Sequence, residues 1–197
     1  MTMITMPAAP IPAKVEWNLP QPTQVNRSEI TSRRRVTILS KAPRWTASVE
    51  LPEIRGEANV RPWRAFFGKL NGRANSFRLI AVENDQHAIA QSVVVDGSGQ
   101  QGFSLATRGW YPRLRLGEGC LVTVADQLLE LTEPAIADAT GRAVLNFVAY
   151  LRVPSIDGAA IETRRPFGVM SLATDDGKWI AGKNQRYSIS FACEESF

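Results

Sequence analysis

The amino-acid sequence predicts a mostly-β fold with one amphipathic helix, built as a β-sandwich or barrel-like body. Several short segments alternate between apolar and polar residues, which is typical of half-buried strands. One segment has apolar residues at helical spacing, and turn-forming residues separate the strand candidates of the second half. The 197 residues suffice to bury a core without disulfides or metals. We divide the chain into a Pro-rich extended arm (1–24), a β-rich domain (25–96) and a barrel- or sandwich-like region (97–197), forming two β subdomains or one continuous body.

The N-terminal arm is predicted to be extended, because five prolines lie within residues 7–22 and proline is incompatible with a helix interior. Val15, Trp17 and Leu19 alternate with polar residues, the period of a strand with one buried face. Such an arm can dock on its own domain or add a strand to a neighbouring subunit, which makes Trp17 a candidate interface residue. Met1 to Thr5 resemble the start of an expression-vector reading frame and carry no weight in the fold prediction.

The strongest strand prediction lies at residues 45–51, whose odd-numbered positions are apolar and whose even-numbered positions are polar. A shorter alternation around residues 36–38 indicates an earlier strand, and Pro43 breaks the chain between the two. Residues 76–82 alternate in the same way and lead into a polar loop at 83–91.

A single amphipathic helix is predicted at about residues 58–71. Pro62 is tolerated best in the first turn, so we expect the helix to begin nearer Val60 than Glu57. Gly72 is well placed to end it. An aromatic stripe at this spacing is more typical of a core than of a ligand site, and one such helix can close a face of a sheet. The residues that share the apolar face are Val60, Trp63, Phe67 and Leu70.

The second half is predicted to be all β. The glycine-rich segment 96–102 lacks the lysine, the Ser or Thr and the following helix of a phosphate-binding loop, so it is interpreted as a turn. Ala125-Asp126 predicts a tight hairpin, and residues 138–141 another turn. The strand candidates are 93–95, 102–107, 120–124, 127–132, 143–147, 160–163, 167–172 and 187–193.

Little in the sequence indicates catalysis. His87 is the only histidine and lies in a polar loop, so neither a two-histidine metal site nor a convincing nucleophile–base pair is expected. Cys120 and Cys193 lack zinc-site spacing and are interpreted as buried free thiols. Glu194 and Glu195 are interpreted as a charged tail. We therefore expect no enzyme activity, no cofactor, no catalytic residue and no metal ligand.

The basic excess is small and concentrated. The formal net charge is +4, and Arg33, Arg34 and Arg35 supply much of it. This favours a solvated face or a contact with an acidic neighbour over direct nucleic-acid binding, which usually shows a basic stripe on a recognisable fold. Trp110 and Tyr111 lie in a turn-like cluster, where they either pack a loop over a barrel end or form an exposed interface anchor. No apolar run approaches the ~20 residues that a membrane-spanning helix needs.

An ordered series of segments resembles a group of small bacteriophage tail structural proteins of the distal tail or baseplate hub type. The resemblance covers roughly residues 15–195, and the order of the segments carries it. The segments are VNRSE (25–29), APRWTASV (42–49), PWRAFFGKLNGR (62–73), ANSFRL (74–79), GQQGFSLATRGW (99–110), LRLGEG (114–119), ADATGRAVL (137–145) and LRVP (151–154).

The resemblance implies a structural virion protein, assembled in the bacterial host cytoplasm, at the tail tip or baseplate. Its partners would be copies of itself in a ring and other tail proteins of the tube, hub or fibre. Closed rings repeat one interface, and we expect the Pro-rich arm or the loop at 83–91 to reach a neighbour. Arg33, Arg34 and Arg35 are candidates for subunit or tube contacts. The alternative is a carbohydrate-binding module for host-surface recognition, with Trp110 and Tyr111 as an aromatic platform.

Overall fold

The computed structural model describes residues 1–196, and within them the fold is mostly β with a single α-helix, as the sequence predicts. The sheets form two layers with separate cores, and a two-stranded hairpin extends from them. In chain order the elements are β1 (Lys14–Asn18), β2 (Thr23–Arg27), β3 (Arg34–Ile38), β4 (Thr46–Glu50), β5 (Ile54–Arg55), α1 (Glu57–Leu70), β6 (Phe77–Ile80), β7 (Val93–Val95), β8 (Gly102–Arg108), β9 (Arg115–Leu116), β10 (Leu121–Val124), β11 (Gln127–Glu130), β12 (Ala135–Ile136), β13 (Arg142–Leu151), β14 (Ala160–Glu162), β15 (Phe167–Leu172), β16 (Trp179–Ala181), a 3-10 turn (Lys183–Gln185) and β17 (Arg186–Glu195).

The first sheet runs in the order β1-β4-β17-β15-β6, and β5 and β16 also pair with β17. In β4 the predicted alternation holds, with Ala47 and Val49 buried and Ser48 and Glu50 exposed. Helix α1 covers this face because its apolar stripe needs a partner surface. Several aromatic rings meet edge to face in the core between them, at centroid distances such as 5.3 Å for Phe66 and Phe77, both near the helix–sheet contact.

Helix α1 begins at Glu57, so the prediction of a start nearer Val60 is wrong. Pro62 lies beyond the first turn, where it leaves one helical hydrogen bond unmade. The Glu57 carboxylate accepts hydrogen bonds from the Tyr187 hydroxyl at 2.5 Å and from Arg64 at 2.7 Å, and these hold the additional turn in place. The Tyr187 hydrogen bond, with Arg64 beside it, lowers the pKa of Glu57 below its ordinary value.

The second sheet curls into a nearly closed barrel in the order β11-β10-β14-β7-β8-β13. Leu131 forms an isolated bridge with Phe147, and the amide of Thr132 donates to the carbonyl of Asn146 at 2.9 Å, so the two edge strands meet. The β10–β11 turn at Ala125-Asp126 is the predicted tight hairpin, with φ of 47° and 63°. The short pair β9–β12 adds Leu116 and Ala135 to the barrel core.

The predicted boundary between residues 25–96 and 97–197 is wrong. The barrel begins earlier, at β7, and the chain after residue 166 returns to the first sheet as β15, β16 and β17. The reason is that strand pairing is non-local, whereas a boundary drawn from local composition assumes that each domain uses one continuous stretch. The two layers are joined directly, since Thr123 Oγ1 donates to the carbonyl of Phe167 at 2.7 Å and accepts from its amide at 2.8 Å.

The Pro-rich arm docks on its own body, which is one of the two alternatives that the sequence allowed, and its contact with a neighbouring subunit stays a prediction. Strand β1 pairs antiparallel with β4, and Trp17 packs edge to face on Trp45 at 6.0 Å. The indole Nε1 of Trp63 donates to the carbonyl of Ala9 at 3.1 Å. Even the first residues join the fold, because the amide of Ile4 donates to the Ser76 carbonyl at 2.7 Å.

Candidate interaction surface

The most distinctive surface of the molecule is the hairpin formed by β2 and β3, called here the exposed hairpin (residues 23–38). Within the described residues these two strands pair only with each other, in a register that sets Val25 opposite Val36 and Thr23 opposite Ile38. Every residue of both strands is exposed. An isolated two-stranded hairpin is marginally stable in water at best, so this one needs support beyond its own ladder.

One face of the exposed hairpin is apolar along half its length. Val25 and Val36 are each 48% exposed, and Ile38 beside them is 71% exposed. Ile30 in the turn is 96% exposed. A row of exposed β-branched residues on a projecting element is typical of a contact surface rather than of a solvated loop, because exposed apolar patches on soluble proteins often mark interaction sites.

The exposed hairpin is also strongly basic. It contains four arginines and one glutamate, Glu29, which gives a net charge of +3 and accounts for most of the chain's excess of +4. Within residues 1–196, none of these arginines lies within ion-pair distance of a carboxylate. The surface therefore presents unneutralised positive charge, which steers association towards an anionic surface. The four are Arg27, Arg33, Arg34 and Arg35.

The base of the hairpin is attached firmly to the body. The amide of Leu39 donates to the carbonyl of Pro22 at 3.0 Å, which brings the two ends of the hairpin together. Just beyond, the amide of Tyr150 on β13 donates to the Lys41 carbonyl at 2.8 Å, and Arg152 donates to the Pro43 carbonyl at 2.8 Å. The hairpin thus leaves the body from a fixed root on the barrel wall.

The other predicted interface residues differ in how far they are exposed to solvent. Trp17 is half-buried between the arm and the first sheet, so it serves the arm's own docking. Trp110 is only 4% exposed and donates from Nε1 to Thr107 Oγ1 at 2.7 Å inside the barrel. The interpretation of Trp110 as an exposed anchor is therefore wrong, and the alternative of packing inside a barrel end holds. Tyr111, the next residue, is 58% exposed.

The loop at 83–91 bonds to its own barrel through several side chains. Gln86 donates to the carbonyls of Leu121 and Thr163 at 2.7 and 2.8 Å, and Asp85 is paired with Arg164 at 2.6 Å. His87 in the same loop places Nε2 3.0 Å from Thr163 Oγ1. These bonds fasten the loop to its own barrel, and the expectation that it contacts a neighbour stays a prediction.

Two charged residues that were not predicted to lie in the interior form an ion pair there. Glu195, interpreted as part of a charged tail, has a side chain only 1% exposed and lies 2.8 Å from Arg152. A usable signal was present, because the alternation of β17 places Glu195 on the same face as the buried Phe191 and Cys193. Cys193 is buried as predicted, Cys120 is only half-buried, and both are free thiols.

The remaining observations limit the chemistry of the described part of the chain. No group of three or more His, Cys, Asp or Glu side chains within residues 1–196 could hold a metal ion. None of the helices described there is long and apolar enough to cross a membrane. Comparison with protein-family models and with curated proteins finds no match for this chain.

Proposed function

We propose that the chain is a non-enzymatic structural protein of a bacteriophage tail, which assembles with copies of itself into a ring or adaptor at the tail tip or baseplate. The ordered sequence resemblance supplies the tail assignment. The observation that supports self-assembly is the exposed hairpin, which displays Val25, Val36 and Ile38 to solvent on an element that is too small to be stable alone.

The mechanism is geometric. The two packed layers form a rigid body, and the hairpin of each copy lies against the body of the next. Such a head-to-tail contact uses two different surfaces, and it closes into a ring when the rotation between copies divides a full turn. The apolar pair at Val25 and Val36 supplies burial, and the arginines at the hairpin's end and along β3 select an acidic receiving surface. This extends the earlier proposal for Arg33, Arg34 and Arg35 as subunit or tube contacts.

The carbohydrate-binding alternative has no specific observation in its favour. It required an exposed aromatic platform of Trp110 and Tyr111, but the Trp110 ring lies in the barrel core. Direct nucleic-acid binding is also disfavoured, because the basic hairpin carries apolar side chains beside its arginines rather than a continuous basic stripe.

The proposal is tested by removing the apolar pair of the hairpin. We expect the double variant Val25→Ser/Val36→Ser to sediment mainly as a monomer at concentrations where the parent chain is assembled. The matched control is Val144→Ser/Val153→Ser, which removes two valines that are 56% and 54% exposed elsewhere on the surface. The control should assemble like the parent. If both variants assemble equally well, the hairpin is not the assembling surface.

A further inference from the structure

We propose that the buried ion pair between Arg152 and Glu195 is the joint that fixes the direction of the exposed hairpin, and so sets the angle between copies in the assembly. The part about assembly rests on the proposed function, whereas the joint itself can be tested on the single chain. The two side chains are 14% and 1% exposed, and Arg152 Nη2 lies 2.8 Å from Glu195 Oε2.

Glu195 is held by three parts of the fold at once. Its carboxylate accepts from the amide of Trp45 at 3.3 Å, from the amide of Leu128 on β11 at 3.1 Å and from Arg152 on the barrel wall. The backbone of Glu195 belongs to β17 and donates to the Trp45 carbonyl at 2.8 Å. A buried carboxylate with this set of donors is satisfied only when the first sheet and the barrel keep their mutual position.

Arg152 connects the buried Glu195 carboxylate to the root of the hairpin. Its guanidinium donates to the carbonyl of Pro43 at 2.8 Å and approaches that of Ala42 at 3.5 Å, while it is paired with Glu195. Its backbone amide donates to the Gln127 side chain at 2.9 Å on the barrel. Residues 42–43 lie four and five residues after the end of β3 at Ile38, so one side chain links the hairpin root to both layers.

One atom, Nη2 of Arg152, makes all of these side-chain contacts, so its two N–H groups bind the carboxylate and a backbone carbonyl together. The planar guanidinium fixes the directions of those N–H groups, whereas a lysine ammonium keeps the charge on a flexible stem that does not fix them. Without the joint, the hairpin root keeps the Tyr150–Lys41 backbone hydrogen bond to the barrel but loses its side-chain link to both layers, and rotation about the root becomes easier. A ring needs one repeated angle, so a loose root produces assemblies of mixed size.

The experiment measures the direction of the hairpin in the single chain by distances between two spin labels. The labels are attached to Ile30→Cys at the hairpin turn and Lys69→Cys on α1, in a Cys120→Ser background, at a dilution that keeps the chain monomeric. We expect a narrow distance distribution in the parent, a broad one in Arg152→Met, and an intermediate width in Arg152→Lys. Arg115→Met removes an arginine from an exposed pair at 3.9 Å and should match the parent.

A second variant protects the test against misfolding. Glu195→Gln keeps the shape of the side chain and an acceptor for one amide, so this variant should fold even if Arg152→Met does not. The distance distribution between its spin labels should also broaden. A narrow, unshifted distribution in folded Arg152→Met or Glu195→Gln overturns the joint, as does a parent distribution that is already broad. Native mass spectrometry separates the two proposals. Assemblies of mixed size in Arg152→Lys support both the proposed assembly and the joint. A parent chain that is always monomeric overturns the proposed assembly, and the distance distributions alone then test the joint.

Discussion

The turn after β8 provides a sharp test of the fold, because one extra methyl group there should be far more harmful than at a similar turn nearby. Gly109 has φ of +89°, and a Cβ built on it would lie 2.3 Å from the carbonyl oxygen of Ser92. Gly99 has φ of +75°, and a Cβ there meets nothing within 4 Å. Alanine at both positions has an unfavourable backbone conformation, but only at Gly109 does it collide with a backbone atom.

The magnitude follows from these two contributions. The left-handed conformation costs an alanine about 1–2 kcal/mol at either position. At Gly109 the collision adds about 1–3 kcal/mol, the usual cost of forcing extra atoms into a packed region. We therefore expect Gly99→Ala to lower the free energy of unfolding by about 1–2 kcal/mol and Gly109→Ala by about 2–5 kcal/mol. Gly109 also turns the chain so that Trp110 enters the barrel, and its replacement should disturb that ring.

The assay is urea unfolding of both variants, followed by tryptophan fluorescence and by circular dichroism. The slope with urea should stay near that of the parent, so that the change appears in the midpoint. If Gly109→Ala and Gly99→Ala lose equal stability, the close approach of Gly109 to Ser92 is not a feature of the folded protein, and the account of Trp110 burial fails with it.

Three further predictions concern single side chains. The hydrogen bond from Arg108 lowers the pKa of Asp157 to about 2. The pair therefore adds to the free energy of unfolding above the ordinary carboxyl pKa, and this contribution is lost as the pH falls from about 4 to 2. Asp157→Asn should flatten the dependence of the free energy of unfolding on pH in that window. Burial raises the pKa of Cys193 to about 12, so a thiol reagent should modify Cys120 first and Cys193 only on unfolding, as peptide mapping can check. Pro62 is exposed, and Pro62→Ala restores a helical N–H within α1, so this variant should raise the unfolding midpoint in urea.

The strands could be predicted well because burial of one face imposes a period of two. β15 has the predicted bounds Phe167–Leu172, and β7 has the predicted bounds Val93–Val95. The same rule also found β3, but it gave no information about the exposure of that strand. The alternation around Val36 and Ile38 indicated a strand, but it could not reveal that the strand stands in solvent, because exposure depends on which partner covers the apolar face.

The pairing of distant segments could not be predicted from local patterns. Glu195 bonds to Trp45, 150 residues earlier in the chain, and it joins Arg152 from a different layer. A charged residue near a chain end is usually solvated, and only the continued alternation of β17 indicated burial here. Trp110 was ambiguous for a similar reason, since its direction depends on the positive φ of Gly109.

The mass of the intact protein in solution shows whether copies of this chain assemble through the exposed hairpin. Pro22 and Leu39 are already joined by a 3.0 Å backbone hydrogen bond, so an Asn-Gly turn can replace residues 23–38 without disturbing the body. We predict one defined multiple of 21.7 kDa for the full chain, and a monomer that still unfolds in one cooperative transition for the shortened chain. A full chain that stays at 21.7 kDa at every concentration, or a shortened chain that assembles equally well, would contradict the account.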